Sequence, residues 1–275
     1  MWRETDSDSI RDDLHRRSTR RTLTIGAGVV VVGVLVALSL PGASPVTGLG
    51  TSVALAEACA DAGQYLPPGE CGLLPVVTDL TAFWAQALPD SPATDYAVEV
   101  QLYSGRVQTP CGDDEDAGTY YCPVDRSVYL EAGPKGGRVE RFPRLTLIDE
   151  VGTYLLAHEY GHHLQELAGR LAEVDAGGDE TGPTSDSVRL ELQADCYAGV
   201  FFHHAHGQLQ PGTVSEKLSD AVRAGGDDEV DLANGDGIDP SAWTHGSAEQ
   251  RLRWFTRGVD SGIPARCNSF DTDVL

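Results

Sequence analysis

The sequence predicts an α+β fold, mainly helical, behind a single N-terminal transmembrane helix. Three observations carry this expectation. Residues 23–40 form an uncharged apolar run; helical patterns occupy 75–88, 145–169 and 188–206; short alternating stretches lie at 97–103 and 118–131.

The run at 23–40 reads LTIGAGVVVVGVLVALSL. At about 1.5 Å per residue it spans about 27 Å, enough for a bilayer core. It is apolar all round rather than on one face, which suits lipid better than a packed core. Four arginines in RRSTRR (16–21) precede it, and positive flanks stay in the cytoplasm. Residues 1–22 therefore read as a cytoplasmic tail, and everything beyond residue 40 as extracytoplasmic. The expected location is the cell membrane, single-pass. Secretion after signal cleavage is the alternative, since Ala54-Leu55-Ala56 is an A-x-A-like site, but it lies far past the apolar run. Thr19-Arg20-Arg21-Thr22-Leu23 loosely resembles a twin-arginine signal.

Residues 41–57 are rich in Pro, Gly, Ser and Thr and read as a linker. One domain, 58–275, follows. Within it 75–88 is an amphipathic helix, 97–103 a strand, and 118–131 two short strands around Cys122-Pro123. A long helix over 145–169 ends at Gly169. The stretch 174–187 is a polar loop, 188–206 a second long helix, 225–240 another loop, and Ser247 starts a last helix over 247–257. Asn234–Asp239 hints at a calcium loop, but an EF-hand frame would put Leu232 and Trp243 at ligand positions, so an acidic turn is expected.

All six cysteines, at 59, 71, 111, 122, 196 and 267, lie beyond the apolar run. An even count there points to disulfides in an oxidising compartment. Spacing favours Cys59–Cys71 and Cys111–Cys122, leaving Cys196–Cys267, among fifteen connectivities that six cysteines allow. The net charge is −22. Residues 1–22 hold six of the 20 basic and five of the 42 acidic residues, leaving 14 and 37 for the rest. So acidic a body repels phosphate backbones, which excludes nucleic acid as a partner.

Chemistry concentrates in VGTYLLAHEYGHHLQ (151–165). On a helix His158 and His162 stand one turn apart, so their imidazoles can reach one ion. Glu159 follows the first histidine, placed to meet a water on the ion's open side. This H-E-x-x-H pattern is a metalloprotease signature. His163 is rotated about 100° away and reads as structural or supporting. A hydrolytic zinc site needs a third protein ligand and an open position. RLELQADCYAG (189–199) offers Glu191 as that ligand, with Asp195 one turn on to accept the N–H of a ligand histidine. Small and apolar neighbours (Leu190, Ala194 and Ala198) suggest partial burial, where two carboxylates need a cation. His203, His204 and His206 compete as ligands but read as a solvated helix end. Near the C-terminus, His245 could stabilise an oxyanion. Arg251 or Arg253 could pair with Asp195 or with a substrate carboxylate. Ser247 and Gln250 form a capping-box pattern.

HEYGHHLQ, RLELQADCYAGVF and THGSAEQRLRWF (244–255), in that order, resemble the three blocks of the bacterial neutral zinc metallopeptidase family. TYYCPVDRSVYLE upstream adds to the likeness, which runs from about residue 60 to the C-terminus. The resemblance implies a zincin-like fold, an anchored extracytoplasmic protein, and a zinc ion with Glu191 as third ligand. The expectation is a zinc peptidase acting on a peptide or protein substrate, with Glu159 as general base and zinc as cofactor. The rivals are a non-catalytic envelope scaffold with a structural zinc, and a zinc amidase acting on cell-wall peptides.

Overall fold

The structure is a computed structural model that describes residues 53–54, 56, 59, 70–88, 93–103, 106–114, 118–131, 150–205, 214–235 and 237–275. The apolar run 23–40, most of the linker, and 145–149 of the long helical pattern lie outside these residues. Among the described residues no helix is long and apolar enough to cross a membrane.

Helices dominate, with a small sheet beside them. In chain order they are β1 (Val53–Ala54), α1 (Leu73–Ala87), β2 (Glu99–Tyr103), β3 (Val107–Thr109), β4 (Gly112–Asp114), β5 (Tyr120–Cys122) and β6 (Ser127–Glu131). There follow α2 (Glu150–Ala168), α3 (Arg170–Asp175), α4 (Asp186–Ala205), α5 (Glu216–Ala224), α6 (Asp227–Asn234) and α7 (Ala248–Ser261). The main sheet has the order β1-β2-β6-β5. Its central pair β2/β6 is parallel, with Gln101 opposite Tyr129, and β5/β6 is an antiparallel hairpin with Tyr121 opposite Val128. β3 and β4 form a separate hairpin.

Each helix follows from its pattern. α1 buries Leu73, Leu80 and Trp84, which recur on one face. α2 stops where Gly169 turns left-handed at φ 71°. α7 begins with the capping box: the Ser247 hydroxyl accepts from Gln250 N–H, and the Gln250 side chain accepts from Ser247 N–H. Some expectations fail: Val53–Ala54 of the expected linker pair with β2 as a strand, and α3 carries helix to Asp175, into the expected loop at 174–187. Residues 227–234 are helical rather than loop, because Asp227, Asp228 and Glu229 occupy a first turn, where acidic groups favour the helix dipole.

α4 is the central helix, packed between α2 and α7. Its crossings are made where side chains are missing. A Cβ on Gly199 would stand 2.1 Å from the Phe255 carbonyl oxygen, and one on Gly258 2.1 Å from that of Cys196, so α4 and α7 touch backbone to backbone. A Cβ on Gly161 would stand 2.8 Å from Ala194 Cα, so α2 and α4 approach almost as closely. Around these crossings Leu156, Leu192, Val200, Phe202, Phe255 and Val259 are buried, each side chain contributing about 1.5–3 kcal/mol. The disulfides are Cys59–Cys71, Cys111–Cys122 and Cys196–Cys267, as the spacing favoured. The last ties α4 to the turn after α7.

Candidate metal centre

The α2/α4 crossing brings three of the expected residues to one point. One donor atom from each of His158, His162 and Glu191 lies within 4.8 Å of the other two. His158 Nε2 is 3.1 Å from Glu191 Oε2, and His162 Nε2 is 3.4 Å from Glu191 Oε1. Gly161 is what permits this, since it lies between the two histidines on the face that meets α4 at Ala194. His158 is buried, whereas the side chains of His162 and Glu191 stay 15% and 17% exposed. The cluster therefore opens to solvent on one side.

Both histidines are oriented from behind. Asp195 Oδ1 lies 2.9 Å from His158 Nδ1. A carboxylate there accepts a hydrogen bond from Nδ1–H, keeping the proton on Nδ1, and leaves Nε2 as the free donor atom facing Glu191. Gln165 does the same for His162. Its side-chain amide nitrogen donates to the Leu190 carbonyl (2.7 Å) and to Gln193 Oε1 (3.2 Å). That fixes its oxygen towards His162 Nδ1 at 2.9 Å. Sequence reading missed Gln165, although it sits three residues after His162, within helical reach.

Asp195 is itself fully buried and held. Arg251 grips it bidentately, Nε to Oδ2 at 2.9 Å and Nη2 to Oδ1 at 3.0 Å. The Tyr154 hydroxyl donates to Oδ1 at 2.6 Å. Of the two arginines expected near Asp195, the structure selects Arg251; Arg253 turns away to the Leu275 carbonyl. Tyr154, one turn before His158, was not foreseen.

The electrostatics follow. Burial alone would drive Asp195 and Glu191 towards their neutral forms. Arg251 and His158 reverse this for Asp195, and His162, His245 and His158 reverse it for Glu191, so both carboxyls lie below the usual range. Burial pushes the His158 ring down, but Asp195 and Glu191 outweigh it and raise the ring to about 10. His162 is also raised, with Glu191 overcoming burial. Two ionised carboxylates thus hold protons on two imidazoles. A cation can replace those protons, and two imidazoles with one carboxylate form a donor set suited to zinc with a position left open. Burial lifts the Glu159 carboxyl above the ordinary range, only partly offset by His158 and His162.

His163, His203 and His204 serve structure. His163 Nε2 donates to the Asp95 carbonyl (2.7 Å), and its Nδ1 accepts from the Tyr121 hydroxyl (2.9 Å), anchoring α2 to the sheet. His203 and His204 bond the carbonyls of Val259 and Gly262 and close the end of α7, His203 half-buried and His204 exposed to solvent as expected. His206 lies outside the described residues. His245 sits beside the cluster, close enough for its charge to lower Glu191.

A sequence-family model described as "Putative neutral zinc metallopeptidase" matches residues 5–270. The chain is 34% identical over 238 residues to "Uncharacterized protein Rv2575" of Mycobacterium tuberculosis strain H37Rv, covering 78% of this chain and 74% of the relative. It is 34% identical over 197 residues to "Uncharacterized protein YpfJ" of Escherichia coli K12, covering 70% and 68%. No solved structure matches.

Proposed function

The chain belongs to the neutral zinc metallopeptidase family, and from that premise we propose that it is a membrane-tethered, extracytoplasmic zinc peptidase. The observation that supports this most directly is the meeting of His158, His162 and Glu191 at a solvent-facing opening, with both histidines oriented from behind.

In this reading His158, His162 and Glu191 hold the zinc. Bound zinc supplies Lewis acidity, acidifying water and polarising a carbonyl. Glu159 takes the proton of the attacking water and delivers it to the leaving amine. Its burial-raised carboxyl makes it a stronger base than an exposed glutamate. Asp195 and Gln165 keep each ligand histidine in the tautomer that leaves Nε2 free. His245 donates to the oxygen that gains negative charge. The apolar run at 23–40 behind four arginines supports the tether, and three disulfides support an oxidising compartment. A carboxylate at Glu159 favours catalysis over a scaffold with structural zinc, which has no need of a base there. A cell-wall amidase would use the same residues, and substrate screening separates the two.

The test is metal analysis and peptide hydrolysis with the full-length protein in detergent. Wild type is expected to carry one zinc, and Glu191→Ala to lose it. Glu159→Gln is expected to keep the zinc and lose hydrolysis by about 10²–10⁴-fold. A wild-type protein that takes up no zinc, or a Glu159→Gln variant of unchanged activity, refutes the reading.

A further inference from the structure

The start of α6 is clasped to the segment before α7. Asp227 N–H donates to the Gly246 carbonyl at 2.8 Å. In return Asp227 Oδ2 accepts three backbone N–H groups, from Thr244 (2.9 Å), His245 (2.7 Å) and Gly246 (2.9 Å). Asp228 Oδ1 accepts a fourth, from Ala248, at 2.7 Å. Three donors occupy one oxygen of Asp227. The other, Oδ1, faces the His245 ring, 3.3 Å from Nδ1. The Thr244 hydroxyl oxygen also lies 2.8 Å from Nδ1.

The clasp rests on the metal helix. Gly246 is left-handed at φ 80°, and a Cβ there would stand 2.9 Å from Val188 Cγ1 and 3.7 Å from Leu192 Cδ2. Val188 and Leu192 bracket Glu191 on α4. A bulkier residue at 246 would lift the His245 backbone away from that turn.

We infer that Asp227 is a positioning residue for His245: it holds the Nδ1 proton, fixes the ring beside Glu191, and leaves Nε2 as the only ring nitrogen offered to substrate. The physical reason is lone-pair repulsion. An unprotonated Nδ1 would face an ionised oxygen, so the proton sits on Nδ1. With Nδ1 committed to Asp227, a hydrogen bond from the ring to an oxygen carrying negative charge can run only through an Nε2–H, with Asp227 as the counter-charge behind the ring. The burial of Asp227 opposes ionisation, but bonds from His245 and the backbone outweigh it and keep the carboxyl below its usual range.

The catalytic consequence rests on the peptidase reading; the tautomer does not. The experiment therefore reads both. Imidazole nitrogen NMR of histidine-labelled full-length protein, at a pH above the ordinary histidine range and with and without zinc, reports which His245 nitrogen carries the proton. The His245→Ala spectrum identifies the signal. Asp227→Asn keeps an oxygen for the three backbone donors but turns an amide N–H towards Nδ1. It is expected to move the proton to Nε2. Because the ring that donates from Nε2 then has no counter-charge behind it, the variant is also expected to lower kcat by about 10²-fold at unchanged KM and zinc content, and to add nothing in a His245→Ala background. A wild-type ring unprotonated at Nδ1 overturns the inference. So does an Asp227→Asn protein that loses thermal stability but keeps its tautomer and kcat, or one whose effect persists without His245. If no peptide is cleaved by wild type, the peptidase reading fails, and the NMR arm alone decides the clasp.

Discussion

Replacing Gly161 with alanine tests whether the α2/α4 crossing sets the metal geometry. The new Cβ would meet Ala194 Cα at 2.8 Å, Ala194 Cβ at 3.0 Å and the Ala194 carbonyl at 3.1 Å. Two of these are backbone atoms, so no rotamer change relieves them. Restoring an ordinary carbon–carbon contact of about 3.5 Å requires the helices to part by about 0.7 Å. Overpacking of this kind costs about 1–3 kcal/mol. Alanine returns about 1 kcal/mol through helix propensity, leaving a net loss of about 0–2 kcal/mol. In a chain of this size that lowers Tm by at most about 8 °C. The metal site is less forgiving. Ligand distances tolerate only about 0.2 Å, and His158 and His162 would both withdraw from Glu191. Zinc affinity is expected to fall by about 10–100-fold, like the loss of an orienting partner, while most of the stability remains. Competition against a fluorescent zinc chelator, run beside a thermal melt of the metal-free protein, separates the two effects. An affinity within twofold of wild type would show that the crossing does not govern the site.

Three further outcomes are expected. Asp195→Asn leaves Arg251 buried without its carboxylate and lets the His158 ring rotate; it should cost about 3–5 kcal/mol in urea unfolding and weaken zinc binding. Gln165→Leu removes the partner of His162 Nδ1 together with the bonds to the Leu190 carbonyl and Gln193 Oε1, so zinc affinity should drop about tenfold or more in the same chelator assay, with a stability loss of about 1–3 kcal/mol in urea for the buried groups left unpaired. Proton release gives the third. His158 is raised to about 10 and His162 is also raised, so both rings carry protons at pH below their ordinary value. Zinc must displace them, and its affinity therefore falls as pH falls. Calorimetry near pH 6 in buffers of different ionisation enthalpy should count roughly two protons released per zinc; no release would contradict the protonated cluster.

Much of the site was legible because it is local. His158 and His162 share a helical face by spacing alone, Glu159 follows by one residue, and Glu191 and Asp195 repeat the same four-residue step. Ser247 and Gln250 announce their capping box, and the cysteine spacing favoured the three disulfide pairs. The helix at 227–234 was hidden because its apolar residues, Val230, Leu232 and Ala233, are few and none is buried, so no apolar period marks it.

The sequence by itself determined which side chains project together from each helix, since helical geometry is a property of the local chain. Only the tertiary structure decided which helices meet, and so which partner each side chain finds. Gln165 and Tyr154 sit within one turn of the histidines, yet they matter because of Leu190, Gln193 and Asp195 across the crossing. Arg251 and Arg253 are two residues apart and chemically alike. One grips Asp195 and the other the Leu275 carbonyl, because successive helical positions point to different neighbours. Asp227 reads as one acid among many until Gly246 settles on Val188 and brings His245 to it. The close approaches at Gly161, Gly199 and Gly258 make these pairings. A missing Cβ lets two backbones touch, but which backbone arrives is fixed by the packing of the whole core.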